Sequence, residues 1–251
     1  MTLNHHRLIS GILHVHTDYS ADSHLTIREV RDYCLGAGLS FACIADHAED
    51  VSPVQFDRLV HECEDVTDES FAAVPGLEFT VNKAHVLALG LRIVPDATCG
   101  LSALKEARNN GALIVLAHPK FGGREIGHDL LSMLHGVEVW NGRYDGGFVP
   151  DTEVLRLYRR LAARRAGLIA FGGCDLHDPE QRGIIRTSLR ASTAPSNVLS
   201  ALGSGRFETR GLVWRLDSSG SPLYPVSFGL SAFHGAYTSA KRICGVLWRS
   251  A

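Results

Sequence analysis

An apolar, strand-like run meets two histidines and an aspartate in the segment Leu8-Ile-Ser-Gly-Ile-Leu-His14-Val-His16-Thr-Asp-Tyr-Ser-Ala-Asp22. Side chains two residues apart in a strand point to the same side of a sheet. His14 and His16 are therefore predicted to bind one metal ion together. Asp175 and His177, at the end of the last predicted strand of the alternating pattern, have the same spacing.

Potential metal ligands also accompany the later strand-like runs of the chain. They lie in the segments Asp46-His47, Pro75-Gly-Leu-Glu78, His85, His118-Pro119 and Gly173-Cys-Asp175-Leu-His177. In parallel α/β folds the carboxyl ends of the strands form one face, so these side chains are predicted to converge. A single histidine at a strand end is more often a structural residue held by hydrogen bonds. Clusters at successive strand ends favour a metal centre instead.

Between these runs the sequence carries the signals of helices. Thr26-Ile-Arg-Glu29 forms a capping box, and Asp151 precedes a long amphipathic, basic stretch. Alternating strands and helices predict an α/β fold with a mainly parallel sheet, either open or closed into a barrel. Residues 84–91 are predicted to pair with the preceding strand as a hairpin. Residues 120–130 and 142–150 contain several glycines and are predicted to form loops over the site.

Composition narrows the class of protein. The chain has 251 residues, of which 45% are apolar and 21% charged, and its 25 basic residues nearly balance its 27 acidic residues. This balance gives no strong sign of binding to long nucleic acid or to an anionic membrane. Six cysteines without a CxxC pair indicate reduced thiols. With no secretory signal and no apolar stretch near the ~20 residues that span a bilayer, a cytoplasmic protein is predicted.

The residue types of the clusters indicate the chemistry. Imidazole suits zinc, iron and manganese, and a bridging carboxylate can hold two cations close together. Two such cations lower the pKa of a shared water and neutralise charge that develops on a phosphoryl group. The residue types therefore predict a pair of divalent transition metal ions (Mn, Zn or Fe) at this face.

The motifs resemble those of the polymerase-and-histidinol-phosphatase (PHP) family of metal-dependent phosphoesterases. The matching stretches extend from residue 12 to residue 178, about two-thirds of the chain. They are His14-Val-His-Thr-Asp-Tyr-Ser-Ala-Asp22, Ile44-Ala-Asp-His47, Pro75-Gly-Leu-Glu78, His85-Val-Leu-Ala-Leu-Gly90, Ala117-His-Pro119 and Gly173-Cys-Asp-Leu-His177. Gly136-Val-Glu-Val-Trp-Asn141 is a weaker match.

The resemblance implies a fold and a ligand set. The fold would be a distorted, TIM-like (β/α)7 barrel over residues 1–217, with a C-terminal extension over residues 218–251 packed on it. The implied first metal is held by His14, His16, Glu78 and Asp175, the second by Glu78, His85 and His118, and the third by Asp22, His47 and His177. Many members have Asp-Gly where Ala21-Asp22 stands here, which leaves His24 as an alternative ligand to Asp22.

Candidate residues for substrate and proton handling lie next to these ligands. Lys120 and Arg143 follow two strand ends and, with Asn141, are predicted to bind a phosphate group. Asp175 and His177 are predicted to relay protons to the leaving group.

The leading functional prediction is hydrolysis of a small phosphate monoester by a metal-bridging hydroxide in a di- or trinuclear site. One alternative is a phosphodiesterase or 5′-3′ exonuclease acting on short oligonucleotides. An alternative from another class is a metal-stabilised binding domain without turnover.

Overall fold

The computed structural model describes residues 7–95, 100–119, 126–181 and 184–223. The first half contains β1 (Arg7–Val15), α1 (Ile27–Gly36), β2 (Phe41–Ile44), β3 (Asp46–His47), α2 (Pro53–Asp65), β4 (Ala72–Val74), β5 (Gly76–Val81), β6 (Ala84–Leu89) and α3 (Gly100–Asn109). The second half contains β7 (Leu113–Leu116), α4 (His128–Met133), β8 (Gly136–Asn141), α5 (Gly142–Asp145), α6 (Thr152–Arg164), β9 (Ile169–Gly173), β10 (Arg186–Ala191), α7 (Pro195–Gly203), β11 (Phe207–Arg210) and β12 (Arg215–Asp217).

The strands pair as two six-stranded sheets. The first has the order β12-β11-β10-β1-β2-β4, and the second has the order β3-β5-β6-β7-β8-β9. Parallel pairs are β1/β2, β2/β4, β3/β5, β7/β8 and β8/β9, while β5/β6 is the predicted antiparallel hairpin. The predicted α/β class is confirmed, but the prediction of a mainly parallel sheet is wrong, because β1/β10, β10/β11, β11/β12, β5/β6 and β6/β7 are antiparallel.

The two sheets are joined where the candidate ligands lie. Beyond the end of β9, Cys174 N donates to Leu13 O (2.8 Å) and Leu176 N donates to His14 O (3.0 Å), both on β1. On the other side, Ala45 separates β2 from β3 and Pro75 separates β4 from β5. Proline has no amide hydrogen and interrupts a ladder. Strand pairing among the described residues therefore gives two sheets rather than one closed seven-stranded barrel.

Helix starts follow the sequence signals closely. Thr26 and Glu29 form the predicted capping box at α1, and Asp151 accepts a hydrogen bond from Glu153 N at the start of α6. Each satisfies backbone amides that a helix leaves without partners. The buried faces of these helices pack against the sheets, which fixes the strand ends that carry the site.

Several sequence-based expectations need correction. The predicted loops 120–130 and 142–150 include the start of α4, whose Leu130 and Leu131 are buried, and all of α5, while residues 120–125 lie outside the described part. Strand β10, which pairs antiparallel with β1, lies in a stretch without a clear strand pattern. In the predicted extension, Ser218 O accepts a hydrogen bond from Ala170 N (2.8 Å), whereas residues 224–251 lie outside the described part. No helix within the described ranges is long and apolar enough to cross a membrane.

His135, between α4 and β8, makes the stability of the fold depend on pH. Its Nδ1 accepts a hydrogen bond from Ile114 N (2.9 Å), which requires a neutral ring. Burial, together with the positive charges of Arg108 and Arg165, lowers the pKa of His135 to about 4. An unfolded histidine has a pKa of ~6.5. The contribution of neutral His135 to the stability of the folded protein is therefore complete above that pH and is lost as the pH falls through 4.

We therefore expect His135→Gln to flatten the acid dependence of stability. Urea unfolding of the metal-free protein at about pH 7 and about pH 4.5 would measure the change, and the wild type should lose more unfolding free energy than the variant. His61→Gln, at an exposed position, is the matched control and should follow the wild type. Equal losses in the wild type and His135→Gln would contradict this assignment.

Candidate metal centre

Glu78 lies at the centre of the candidate site. Its Oε1 is 3.5 Å from His14 Nε2, 3.1 Å from His85 Nδ1 and 3.2 Å from His118 Nε2. Its Oε2 faces a different pair, at 3.5 Å from His16 Nε2 and 3.3 Å from His47 Nδ1. Each oxygen of the carboxylate therefore faces its own set of imidazoles, which is the arrangement that a bridge between two cations requires.

Strand register positions these groups around Glu78. In the parallel pair of β3 and β5, His47 lies opposite Glu78. In the antiparallel hairpin of β5 and β6, His85 lies opposite Thr80, two residues further along the strand. Glu78 itself is 2% exposed. Burial alone would raise the pKa of Glu78, but the neighbouring His14 and hydrogen bonds from histidines lower it well below its usual range, so this carboxyl group is ionised.

His14 and His16 meet through an irregular backbone rather than through regular strand alternation. His14 has φ of 64°, and the pairing of β1 with β2 shifts register at this residue. Their Nε2 atoms lie 3.1 Å apart. The expected convergence is present, but the reason given for it, same-side spacing in a regular strand, is wrong because the strand is bulged at His14.

Three candidate ligands share this backbone strain. His14, His118 and Asp175 have φ of 64°, 23° and 53°, in the left-handed region that residues other than glycine rarely adopt. Each such residue costs on the order of 1–3 kcal/mol. Strain of this kind is concentrated at functional sites, where the surrounding structure holds a side chain in a required direction.

The imidazole rings of His14 and His16 are held in place by hydrogen bonds on the side that faces away from Glu78. His14 Nδ1 is 3.1 Å from Glu138 Oε1, and His16 Nδ1 is 3.2 Å from Ser20 Oγ. Ser20 donates its hydroxyl hydrogen to Asp46 Oδ1 (2.7 Å), so its oxygen accepts from His16. Both histidines thus carry a hydrogen on Nδ1 and present Nε2 to the cluster, as metal-binding histidines held by a second partner do.

The positions of the hydrogens on His14 and His16 favour a cation at this site. With both Nδ1 hydrogens engaged, the two Nε2 lone pairs face each other at 3.1 Å unless a proton or a metal ion neutralises them. Burial would lower the pKa of His14, but Glu78, Asp175 and Glu138 raise it well above its ordinary value, whereas burial and His14 lower the pKa of His16. The site therefore attracts a positive charge between these rings, and its donor atoms suit a transition metal.

Three groups of donor atoms, each within 4.8 Å, are brought together. They are His14 with Glu78 and His118; His14 with His16 and Asp175; and His16 with Asp22, His47 and His177. All nine predicted ligand positions lie in or beside these groups, since His85 contacts Glu78 directly. Asp22 Oδ2 is 3.0 Å from His177 Nε2, whereas the alternative ligand His24 is exposed and belongs to none of the groups.

Asp175 and His177 occupy the opening of the cluster together with Arg143. Arg143 Nη1 is 3.6 Å from Asp175 Oδ1 and 2.8 Å from His177 Nε2. Burial would raise the pKa of Asp175, but His14 and His118 lower it, and burial lowers the pKa of His177. An ionised carboxylate and a neutral imidazole are suited to bind cations or accept protons, and less suited to donate them.

The predicted substrate-binding residues have different positions. Arg143 reaches the opening, and its side chain is 41% exposed. Asn141 is buried, where its Nδ2 donates to Glu138 Oε2 (2.9 Å) and Asp175 Oδ2 (3.3 Å) and its Oδ1 accepts from Arg143 N (3.0 Å). This position favours support of the ligands over contact with substrate. Lys120 lies outside the described residues.

Sequence reasoning gave no supporting role to Glu138 and named Asp46 only as a potential metal ligand. Glu138 is 1% exposed, and its Oε2 accepts from His118 N (2.8 Å) while its Oε1 holds His14. Asp46 is fully buried and also accepts from Thr17 N (2.6 Å). Acidic residues inside strands that are otherwise apolar were the available signal, since buried carboxylates require partners.

Gly173 allows Glu138 to reach His14. A Cβ on Gly173 would overlap the Glu138 carboxylate and come within 3.1 Å of His14 Cβ. We expect Gly173→Ala to displace this support and weaken metal binding by roughly 10- to 100-fold, measured by titration with manganese or zinc. Gly36→Ala on α1, where the added methyl meets nothing within 4 Å, is the matched control. Metal affinity in Gly173→Ala equal to that of the control would refute the role of Glu138.

Comparison with solved structures places this geometry among known folds. The chain aligns with a two-domain protein from Bacteroides vulgatus containing a predicted PHP-like metal-dependent phosphoesterase, at a TM-score of 0.62 and 20% identity. The fold is that of PHP-like phosphoesterases. The resemblance expected from the motifs is thus confirmed at the level of the fold. No family model and no curated protein matches the sequence.

Two further structures share the PHP-like fold. A protein from Bifidobacterium adolescentis, inferred to be a metal-dependent phosphoesterase, aligns over 77% of this chain and 96% of its own, with a TM-score of 0.52 and 18% identity. Endonuclease Q in complex with a 27-mer duplex aligns over 82% of this chain with a TM-score of 0.51 and 13% identity. The alignment with the Bacteroides protein covers 82% of this chain and 65% of that protein. The alignment with endonuclease Q covers 60% of that protein.

Proposed function

We propose that the protein is a metal-dependent hydrolase of small phosphate monoesters with a di- or trinuclear centre of manganese, zinc or iron. The observation that carries the proposal is the position of Glu78, whose two oxygens face separate sets of histidines at 3.1–3.5 Å. Glu78 with His14, His16 and Asp175 would hold one cation, Glu78 with His85 and His118 a second, and Asp22, His47 and His177 a third. His14 and His16 face different oxygens of Glu78, but their Nε2 atoms lie 3.1 Å apart, close enough for one cation to reach both. When bound, such cations activate water and neutralise charge on a phosphoryl group.

The protein's own residues complete the site. Arg143 presents a guanidinium group at the opening, where it can donate two hydrogen bonds to a phosphate. Its ion pairs with Asp175 (3.6 Å) and Asp22 (4.0 Å) hold it there. His177 or Asp175 would accept a proton from the attacking water and relay it to the leaving group, while Asn141 and Glu138 keep the ligand carboxylates and imidazoles in position.

A monoester is favoured over nucleic acid by charge. The chain has a net charge of −2, and the aromatic residue within its basic stretch on α6, Tyr158, is buried, so this stretch offers no exposed aromatic ring on which a single strand could stack. The fold shared with endonuclease Q supports the alternative, a phosphodiesterase or exonuclease on short oligonucleotides. A binding domain without turnover is the third possibility, and it predicts no hydrolysis under any metal condition.

Assays on purified protein supplied with manganese, zinc or iron separate these functions. We expect kcat/KM for small monoesters to exceed that for a 5′-phosphorylated oligonucleotide by at least roughly tenfold and to change little between 50 and 200 mM salt. A protein that neutralises 6–10 phosphates loses ~10³–10⁵ in affinity over the same range. Faster cleavage of the oligonucleotide with a steep salt dependence would replace the monoester proposal with the exonuclease.

A further inference from the structure

A cavity of about 640 Å³ opens directly beside the candidate metal centre. Its wall includes His85 and His118, which both contact Glu78 Oε1, so cavity and metal centre are continuous. Its volume lies within the range of ~300–1,000 Å³ typical of small-molecule sites. A phosphate held on the His85 and His118 side of the cluster would have its remaining part beside this space.

The wall of the cavity away from the cluster is apolar. Aliphatic side chains from five parts of the fold form it: Val81, Leu101, Leu116, Ile126, Leu130 and Leu157. Tyr144 lies on the same wall, with its ring edge-on to His118 at a centroid distance of 5.3 Å. Among the described residues, the other polar side chains of the lining are Asn82 and Lys83, in the turn between β5 and β6, and His128 and Asp129, at the start of α4, and all four residues are exposed to solvent.

We propose that this cavity binds the organic part of the substrate and that the substrate is a phosphate ester of a hydrophobic alcohol or phenol. This inference rests on the proposed phosphoesterase function and narrows its substrate class. Sugar or glycerol hydroxyls placed against these leucines would lose water without gaining partners, at a cost that an aromatic or branched apolar group does not have. The ring of Tyr144 offers an edge or face for an aromatic group.

A series of primary-alcohol esters tests the assignment without a large change in leaving-group chemistry. The series contains ethyl, glycerol and 2-phenylethyl phosphate, assayed with the metal that gives the highest activity. Burial of a phenyl group predicts a kcat/KM for 2-phenylethyl phosphate about 10- to 100-fold above that for ethyl phosphate. The matching phosphonates, which are not hydrolysed, should show the same order of affinity by calorimetry.

Leu157→Asn, on the exposed side of the cavity wall, should reduce the ratio of 2-phenylethyl to ethyl phosphate kcat/KM by at least roughly fivefold. Leu35→Asn on α1 is the matched control, because Leu35 is also a partly buried helical leucine and does not line the cavity. This control should keep the wild-type ratio.

The outcomes distinguish this inference from the proposed function. Hydrolysis of all esters at equal kcat/KM, with equal phosphonate affinities, would overturn the inference and leave the phosphoesterase in place. A ratio unchanged by Leu157→Asn would also overturn it. Discrimination between the phosphonates without turnover of any ester would support the cavity as an apolar site and overturn the proposed function.

Discussion

Glu78→Gln is expected to abolish turnover and remove at least one equivalent of metal. The substitution replaces one carboxylate oxygen with an NH₂ group and removes the negative charge that five histidines face at 3.1–3.5 Å. Loss of a cation that stabilises the transition state by several kcal/mol predicts a fall in kcat/KM of roughly 10³ or more. Steady-state assays on a small phosphate monoester, together with elemental analysis of the same sample, measure both effects.

Two controls show whether this loss is specific to the bridge. Glu208→Gln, on the exposed side of β11, makes the same chemical change away from the site and should leave activity and metal content at wild-type values. Asp22→Asn affects a carboxylate that is 47% exposed and belongs to one donor group only, so some turnover should remain. Complete and equal loss in Glu78→Gln and Asp22→Asn would contradict the bridging position of Glu78.

The candidate ligands were predictable because their residue types recur at strand ends. His47 ends β3 and His118 follows the end of β7, as expected for ligands at the carboxyl ends of strands, whereas Glu78 lies inside β5, directly opposite His47. Their donor atoms indeed lie within hydrogen-bond or ion-pair distance of one another or of shared neighbours. A pattern of residue types was sufficient for this part of the site, since it depends on topology and not on side-chain conformation.

The support of those ligands could not be predicted in the same way. Glu138 lies in the apolar strand β8, where an acidic residue indicates a buried partner, but the local sequence does not show that this partner is His14 on β1, a strand of the other sheet. Positive φ at His14, His118 and Asp175 is disfavoured for these residue types, so no propensity argument leads to it. Both features arise only when strands from distant parts of the chain pack together.

The division into two sheets and the presence of the cavity also could not be predicted from local sequence. The breaks at Ala45 and Pro75 divide the pairing into two sheets, although the order of strands and helices alone also fits a closed barrel. The apolar cavity is bounded in part by residues of α3 and α6, whose sequences read simply as helices. A helix pattern shows which face is apolar but not whether that face meets another side chain or an open space.

Removal of metal is expected to lower the melting temperature of the protein by roughly 10 °C or more. The cluster buries the carboxylates of Glu78 and Asp175 beside the rings of His14 and His16, all at most 2% exposed. A site filled at ~1,000 times its dissociation constant adds about 4 kcal/mol of stability. At ~2–4 °C per kcal/mol for a chain of this size, one such site accounts for a shift of about 8–16 °C.

Thermal unfolding with saturating manganese or zinc, compared with a chelated sample, measures this shift. Glu78→Gln, which removes the bridge, should show a much smaller shift than the wild type, whereas Glu208→Gln should show the full one. The shift should also be larger at about pH 8 than at about pH 6, because the Glu78, Asp175 and Glu138 carboxylates raise the pKa of His14 despite its burial, and a metal must displace that proton. Identical unfolding temperatures with metal and with chelator would show that the histidines and carboxylates of this cluster stabilise one another without a cation.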